Sequence, residues 1–176
     1  MRTGRAARAW KDPAMAEISD VIERLAAVED RLAIIELEAA YARSFDSRAG
    51  DEWAALFTPD GIYQARGATA ERGNYVAGRE ALSAFCTGAP FDGIHLMHLP
   101  QCTFDGDQAR SRIHLEFVAT FHAEGNPTVR MVGYYDVRYV KLDGVWRIAH
   151  RVTSTMHRTD NKTGTYPTGT GFDTDL

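Results

Sequence analysis

The chain has 176 residues, a length typical of one domain, and 44% of them are hydrophobic, enough to build a core. Its formal net charge is -4 and its pI is about 5.8, and Lys and Arg cluster only near the N-terminus. These values argue against nucleic acid as the main partner, because phosphate binding requires a clustered basic surface. No apolar run approaches the roughly 18 residues that a membrane helix requires, so we expect no membrane partner and a cytoplasmic location.

The pattern of the chain divides it into three regions. Residues 1–15 are basic and lack periodicity. We expect a disordered leader there, with an organellar transit peptide as the alternative and Met15 as a candidate natural start. Residues 16–157 carry regular hydrophobic periodicity and form the predicted domain. Residues 158–176 are rich in Gly and Thr, and we expect a flexible tail or a cap over a neighbouring subunit.

Helices are predicted in the first half of the domain. Apolar residues three or four apart over 18–45 indicate a long amphipathic helix, with a break allowed near 29–31. A short helix over 51–57 follows, and the Pro and Gly of residues 58–61 predict a turn. The next elements are a strand start, an irregular loop and a third helix, over 62–65, 68–75 and 78–86.

Strands are predicted throughout the second half. Strict alternation over 109–122 is the clearest signal, with Ile113, Leu115 and Phe117 on the apolar face. Asp143 and Gly144 predict a tight hairpin turn. The other predicted strands cover residues 94–104, 129–142 and 145–156. Helices followed by a meander of antiparallel strands indicate an α+β domain, with the helices packed on one face of a curved sheet.

Metal and cofactor chemistry has little support in the sequence. Cys86 and Cys102 lack the spacing of a zinc site or a redox pair, and we expect two reduced buried thiols, with one disulfide as the alternative. His95 and His98 are three residues apart, which places them on opposite faces of a strand. There is no Gly-rich phosphate loop and no nucleophile elbow around a serine. We therefore expect no metal and no cofactor.

Several polar residues occupy positions that the pattern places inside the domain. They are Asp46, His95, Tyr41, Tyr63 and Arg151. Each also has a purely structural alternative: the aspartate could cap the next helix, the histidine and tyrosines could be core residues, and the arginine could lie on the outer face of the sheet. The residues alone leave these alternatives open.

A resemblance to the SnoaL-like branch of the nuclear-transport-factor-2-like superfamily is carried by four segments, YARSFDSRAGDEWAALFTPDGIYQ, GREAL, IHLMHL and GYYDVRYVKLDGVWRIAHR. It spans roughly residues 18–157 and implies a cone-shaped α+β barrel. It is a poor guide to the reaction, because this fold hosts dehydratases, dehydrochlorinases, isomerases, cyclases, epoxide hydrolases and non-catalytic subunits.

Scytalone dehydratase, bile acid 7α-dehydratase and lindane dehydrochlorinase belong to that superfamily and share an Asp–His pair in the cone. The resemblance places this pair on Asp46 and His95. It also implies site positions for Tyr41, Tyr63 and Arg151.

The resemblance is incomplete at the second pocket histidine of scytalone dehydratase. The candidate, His114, lies on the polar side of its strand, so we expect it to face outward. Gly133 and Tyr135 stand where that enzyme has Ser and Asn, which argues against scytalone as the substrate. Strand register predicts further pocket residues beside the site tyrosines, namely Leu115, Phe117, Met131 and Tyr135.

The chemistry implied by the resemblance is a cofactor-independent elimination. His95 would remove a proton next to an activating group, Asp46 would stabilise the imidazolium, and Tyr63 or Tyr41 would donate a proton. Arg151 would hold Asp46 ionised or bind an acidic part of the substrate. We expect a dehydratase-type lyase acting on a small, hydrophobic, cyclic hydroxylated molecule. The alternatives are an isomerase or cyclase with the same pocket, a ligand-binding protein, or a non-catalytic subunit such as the small subunit of a ring-hydroxylating dioxygenase.

An open cone leaves a sheet edge and an outer sheet face uncovered, which predicts a homo-oligomer. Because the three related enzymes are trimers, the resemblance implies a trimer. A dimer is the alternative.

Overall fold

A computed structural model describes residues 13–159 of the chain. Residues 1–12 of the predicted leader and 160–176 of the predicted tail lie outside the described residues. The first helix begins at Pro13, so the last part of the predicted leader is helical. Among residues 13–159, none of the helices combines the length with the apolar composition that a membrane span requires.

Helix α1, Pro13–Asp46, is continuous, and the break allowed near residue 30 does not occur. Its surroundings change along its length. Every residue over 14–29 is exposed, whereas Ile34, Leu37 and Tyr41 are buried in the core. The C-terminal half of α1 therefore packs against the domain and places Asp46, its last residue, at the centre of the molecule.

Two short helices and two strands follow, namely α2 Gly50–Ala55, β1 Phe57–Ala65, β2 Tyr75–Ala77 and α3 Arg79–Thr87. The turn predicted at residues 58–61 lies inside β1 as a bulge, because Phe57 pairs with Ile148 whereas Ile62 pairs with His150. Strand β2 lies at the end of the predicted loop and pairs with β1. Three residues are too few for alternation to reveal a strand.

The remaining strands are β3 Phe91–Met97, β4 Gln101–Asp105, β5 Gln108–Phe121, β6 Thr128–Leu142 and β7 Val145–Arg158. The prediction of one strand over 94–104 is wrong. The chain forms two strands there, and both pair with β5. Pro100 lies between them; it has no N–H for the ladder and it restricts Leu99, so a single strand is interrupted at this point.

The strands form one sheet in the order β2-β1-β7-β6-β5-β3, and β4 also pairs with β5. Strand β1 runs parallel to β7, and the other pairs are antiparallel. Two register shifts between β6 and β7 bend the sheet. At one of them a Cβ on Gly133 would lie 2.0 Å from the Ser154 carbonyl oxygen, so only glycine fits. The predicted fold class is confirmed: N-terminal helices pack against a curved, mostly antiparallel sheet.

The face assignments within the sheet follow the predicted alternation. Ile113, Leu115 and Phe117 are buried on the inner face of β5, and His114 is exposed on the outer face. Cys86 and Cys102 are free thiols, as predicted, but only Cys86 is buried and Cys102 is half-buried. The inner face of the sheet and the C-terminal half of α1 thus enclose the core, and the polar candidates come together there.

Candidate active site

Asp46 and His95 meet where the end of α1 approaches the middle of β3. The His95 Nδ1 atom lies 2.6 Å from Asp46 Oδ1, and the His95 backbone N–H donates to Asp46 Oδ2 at 2.9 Å. An ionised carboxylate only accepts hydrogen bonds, so Nδ1 carries the proton, and in the neutral ring Nε2 is then the acceptor. The aspartate therefore fixes both the tautomer and the orientation of the ring.

The other ring nitrogen faces Tyr135 of β6. The Tyr135 hydroxyl lies 3.0 Å from His95 Nε2. Burial raises the pKa of Tyr135, with a smaller rise from Tyr63, so the phenol is neutral and acts as the donor to Nε2. In this arrangement His95 Nδ1–H donates to Asp46, and the Tyr135 hydroxyl donates to His95 Nε2.

Aromatic rings surround the imidazole. The ring centroid of His95 lies 4.4 Å from that of Phe117, 5.5 Å from that of Phe45 and 5.9 Å from that of Tyr41. The His95 side chain is only 4% exposed and that of Asp46 20%. Water therefore screens the pair weakly, and its electrostatic interaction is stronger than at a surface.

These residues line a cavity of about 570 Å³ between the sheet, α1 and α3. This volume is in the range of small-molecule sites. Every residue predicted to line the pocket does so, namely Tyr63, Leu115, Phe117, Met131 and Tyr135. Four further phenylalanines, which the sequence analysis did not select, complete the walls, namely Phe45, Phe85, Phe91 and Phe121. The lining is therefore mostly apolar and aromatic, with polar groups at a few points.

Tyr41 and Tyr63 both reach the cavity as predicted. The Tyr63 hydroxyl accepts a hydrogen bond from Thr153 Oγ1 at 3.1 Å. Burial raises the pKa of both phenols, so they are neutral and keep a proton to donate. The cavity therefore contains three neutral tyrosines, those at positions 41, 63 and 135.

Arg151 pairs with Glu38 and not with Asp46, so the first of its two expected roles, holding Asp46 ionised, is wrong, and the second, binding an acidic part of the substrate, stays a prediction. Arg151 is fully buried, and its Nη2 donates to the two carboxylate oxygens of Glu38 at 2.6 and 2.5 Å. Its guanidinium carbon lies 3.6 Å from the Tyr41 ring centroid and 4.6 Å from that of Tyr135. A buried guanidinium requires a buried counter-ion, and Glu38 provides it from the layer beneath the cavity.

Glu38 is the polar residue that the sequence analysis missed. It lies three residues before Tyr41 and four after Ile34, on the buried face of α1. Its carboxylate also accepts from the Tyr139 hydroxyl at 2.7 Å, and that hydroxyl lies 2.7 Å from Ser111 Oγ. A carboxylate on the apolar face of an amphipathic helix was the available signal, because such a group is buried only with a partner.

Metal ligands do not converge in the described part of the chain. Residues 13–159 contain no group of three or more His, Cys, Asp or Glu side chains placed to hold an ion. The chemistry available to the cavity from these residues is therefore proton transfer by an imidazole, a carboxylate and phenols.

Comparison with known proteins identifies relatives over most of the chain. The profile of the SnoaL-like domain family matches residues 26–152, well over half of the chain. The uncharacterized protein Rv2910c of Mycobacterium tuberculosis is 28% identical over 128 residues, which cover 73% of this chain and 86% of that protein.

Solved structures share the architecture. Hexachlorocyclohexane dehydrochlorinase LinA-type3 of Novosphingobium barchaimii superposes with a TM-score of 0.68 at 18% identity, covering 82% of this chain and 99% of that one. A candidate scytalone dehydratase of Novosphingobium aromaticivorans also gives a TM-score of 0.68, at 23% identity, covering 83% and 97%. At these identities the likeness shows a common fold.

Proposed function

The chain belongs to the SnoaL-like domain family, and from that premise we propose that its cavity catalyses a cofactor-independent elimination on a small hydrophobic substrate. One observation carries the proposal. His95 directs Nε2 into the aromatic cavity while Asp46 holds the opposite nitrogen at 2.6 Å. The two solved structures of the same fold, a dehydrochlorinase and a candidate scytalone dehydratase, support a lyase by their names.

The first step is removal of a proton from carbon. A substrate C–H next to a carbonyl or another activating group displaces the Tyr135 hydroxyl from Nε2 and presents its proton there. The electron pair of the broken C–H bond moves toward the activating group. Asp46 stabilises the imidazolium that forms, in a site that excludes most water.

The second step is departure of the leaving group from the neighbouring carbon. The C–O bond breaks as the C=C bond forms, and the imidazolium returns its proton to the departing oxygen, so water leaves and His95 is again neutral. Tyr135, Tyr41 or Tyr63 donates a hydrogen bond to the developing oxyanion. Atoms, charge and oxidation state balance without a co-reactant.

The cavity walls define the substrate class. A volume of about 570 Å³ lined by phenylalanines, Leu115 and Met131 fits one compact ring system. The imidazole of His95 and the hydroxyl of Tyr135 meet in this lining, so the hydroxyl and the activating group of the substrate are expected beside them. We propose a cyclic hydroxylated molecule.

A proton-transfer isomerase is the second candidate function. Three neutral phenols reach the same cavity, which favours stabilising an enolate long enough to reprotonate it elsewhere. In that case the imidazolium returns its proton to carbon, and no water is lost.

The test is to incubate the purified chain with hydroxylated cyclic ketones and acids and follow their products by mass spectrometry in D₂O. Loss of 18 mass units supports elimination, and deuterium incorporation without that loss supports isomerisation. Neither product should form with His95→Gln, and His114→Gln is the matched control on the outer face of the sheet. Turnover that survives His95→Gln would refute the proposed base, whereas recovery of the chain in a stable complex with an iron-containing oxygenase would favour a non-catalytic subunit.

A further inference from the structure

The N-terminal half of α1 projects away from the domain. Every residue over 14–29 is exposed. The helix meets the sheet at Asp30, whose carboxylate accepts from Lys141 Nζ at 2.6 Å and from Trp146 Nε1 at 2.9 Å. The segment before Asp30 is about 24 Å long. A solvated helix of this length is marginal in water, so a neighbour is needed to stabilise it.

The projecting segment carries large apolar side chains that the domain does not cover. Six of them are 52–62% exposed, namely Met15, Ile18, Val21, Ile22, Leu25 and Val28, and Leu32, just past Asp30, is 55% exposed. Single exposed apolar residues are ordinary, but a contiguous set on one helix marks an interaction surface.

The spacing of these residues identifies the kind of surface. Six apolar residues are separated by three, four, three, four and three positions, namely Ile18, Val21, Leu25, Val28, Leu32 and Ile35. This is the a/d repeat of a coiled coil, with positions a at 18, 25 and 32. We call these six residues the seam.

The seam faces away from the rest of the molecule. In this heptad Asp30 occupies position f, on the side of the helix opposite to a and d. Its bonds to Lys141 and Trp146 hold that opposite side against the sheet. The seam from Ile18 to Leu32 is therefore presented to a partner, and only Ile35, its last residue, is half-buried.

The charges beside the seam indicate what the partner is. Over residues 24–36, positions g hold Arg24 and Arg31, and positions e hold Glu29 and Glu36. In a parallel pair of identical helices, position g contacts the e position five residues later in its neighbour. Arg24 would then face Glu29 of the partner subunit, and Arg31 would face Glu36 of the partner subunit. An antiparallel pair would bring like charges together.

We propose that copies of this chain associate through the seam as a parallel coiled coil. The partner that matches both the apolar repeat and the charge order is the same helix in a second copy. The combination of Leu at position a with Ile at position d, as at Leu32 and Ile35, favours three or four strands over two. The domains then lie around one end of the bundle, each with its own cavity.

The first experiment compares two adjacent substitutions by light scattering coupled to size exclusion. Leu25→Glu places a charge in the seam, whereas Ala26→Glu places the same charge at exposed position b. The unaltered chain and Ala26→Glu should have a mass that is a multiple of 19.5 kDa, and Leu25→Glu should have a mass of one chain. Circular dichroism of the sheet should be the same in all three, because both positions are exposed in the single chain.

The second experiment tests the orientation. Val21→Cys lies near the free end of the seam, where it meets its own copy only in a parallel arrangement. Mild oxidation should join two Val21→Cys chains through a disulfide, and the unaltered chain, with Cys86 buried and Cys102 half-buried, should not be joined. A single-chain mass for the unaltered protein, an assembly indifferent to Leu25→Glu, or an assembled Val21→Cys that resists self-linking would each overturn the proposal.

Discussion

At the scale of single residues, His95 is held at three points before any ligand arrives. Asp46 binds its ring and its backbone, and Tyr135 binds the second ring nitrogen. If His95 is the proposed base, it needs no reorganisation when the proposed reaction begins, and such preorganisation is usually the largest single contribution to catalysis. The contribution of each contact to activity can be measured by single substitutions that remove one functional group at a time.

Asp46→Asn should keep the fold and lose the activity. An amide has the shape of the carboxylate, but it cannot stabilise an imidazolium, and it allows the other ring tautomer. We expect kcat/KM to fall by about 10²–10⁴-fold, with a thermal midpoint close to that of the unaltered protein. Unchanged kcat/KM would show that the carboxylate serves only the structure.

Tyr135→Phe should lower kcat more than it raises KM. It removes the hydroxyl that donates to His95 Nε2 and leaves the ring in the cavity wall. We expect a fall in kcat of about 10²-fold or more, as for the loss of one oxyanion donor. Tyr134→Phe is the matched control, because this neighbour on β6 faces the outer side of the sheet and contacts Arg112. Equal effects of the two substitutions would contradict the assignment.

At the scale of elements, the Glu38–Arg151 ion pair joins α1 to β7 beneath the cavity. Glu38→Gln leaves a fully buried guanidinium without a counter-charge, and such a loss costs about 3–5 kcal/mol of unfolding free energy. The double variant Glu38→Gln with Arg151→Met should be less destabilised than the sum of its single variants. Urea unfolding of the four proteins measures this coupling, and strict additivity would contradict the pairing.

His150 of β7 gives the sheet a predictable pH dependence. Burial lowers the pKa of His150 from its ordinary 6.5, and Arg138, which donates to its Nδ1, acts in the same direction. The unfolded chain therefore binds the proton more readily than the native protein. The contribution of His150 to stability is present above pH 6.5 and is lost as the pH falls below that value.

Urea midpoints at pH 7.5 and 5.5 measure this effect. The urea midpoint should fall less on acidification in His150→Gln than in the unaltered protein. His114→Gln, at an exposed site, should show the same fall as the unaltered protein. An equal fall of the urea midpoint in all three proteins would show that groups other than His150 cause the pH dependence.

Much of the fold could be predicted because the strands obey simple rules. Alternation along β5 placed Leu115 and Phe117 in the cavity and His114 outside. The interruption at Pro100 was missed because the apolar residues on either side continue the same strand pattern. The place of Glu38 on the apolar face of α1 was a local signal, but its pairing with Arg151, 113 residues away, depends on how α1 crosses the sheet, which no local pattern contains.

At the scale of the whole molecule, α1 connects two separate surfaces. Its last residue, Asp46, holds the His95 ring that lines the cavity, and its projecting half carries the first four seam residues. Buried residues such as Leu37 and Tyr41 lie between the seam and Asp46. Assembly and proton transfer therefore depend on different residues of the same helix, and a failure of one proposal leaves the other open to its own test.

The cavity geometry also explains why the reaction could not be read from the fold alone. Elimination and isomerisation begin with the same proton removal and differ only in where the proton is returned. Both require a neutral imidazole with Nε2 free to accept, and both lose their base if that state is absent.

The proposed role of His95 as a neutral base is tested most directly by nitrogen-15 NMR of the histidine side chains at neutral pH, without any substrate. The account predicts that His95 is a neutral ring protonated on Nδ1, with a slowly exchanging Nδ1–H that disappears in Asp46→Asn and an Nε2 resonance that shifts in Tyr135→Phe. A His95 ring protonated on Nε2, or one whose tautomers average freely and ignore Asp46→Asn, would contradict the proposed base and the elimination built on it.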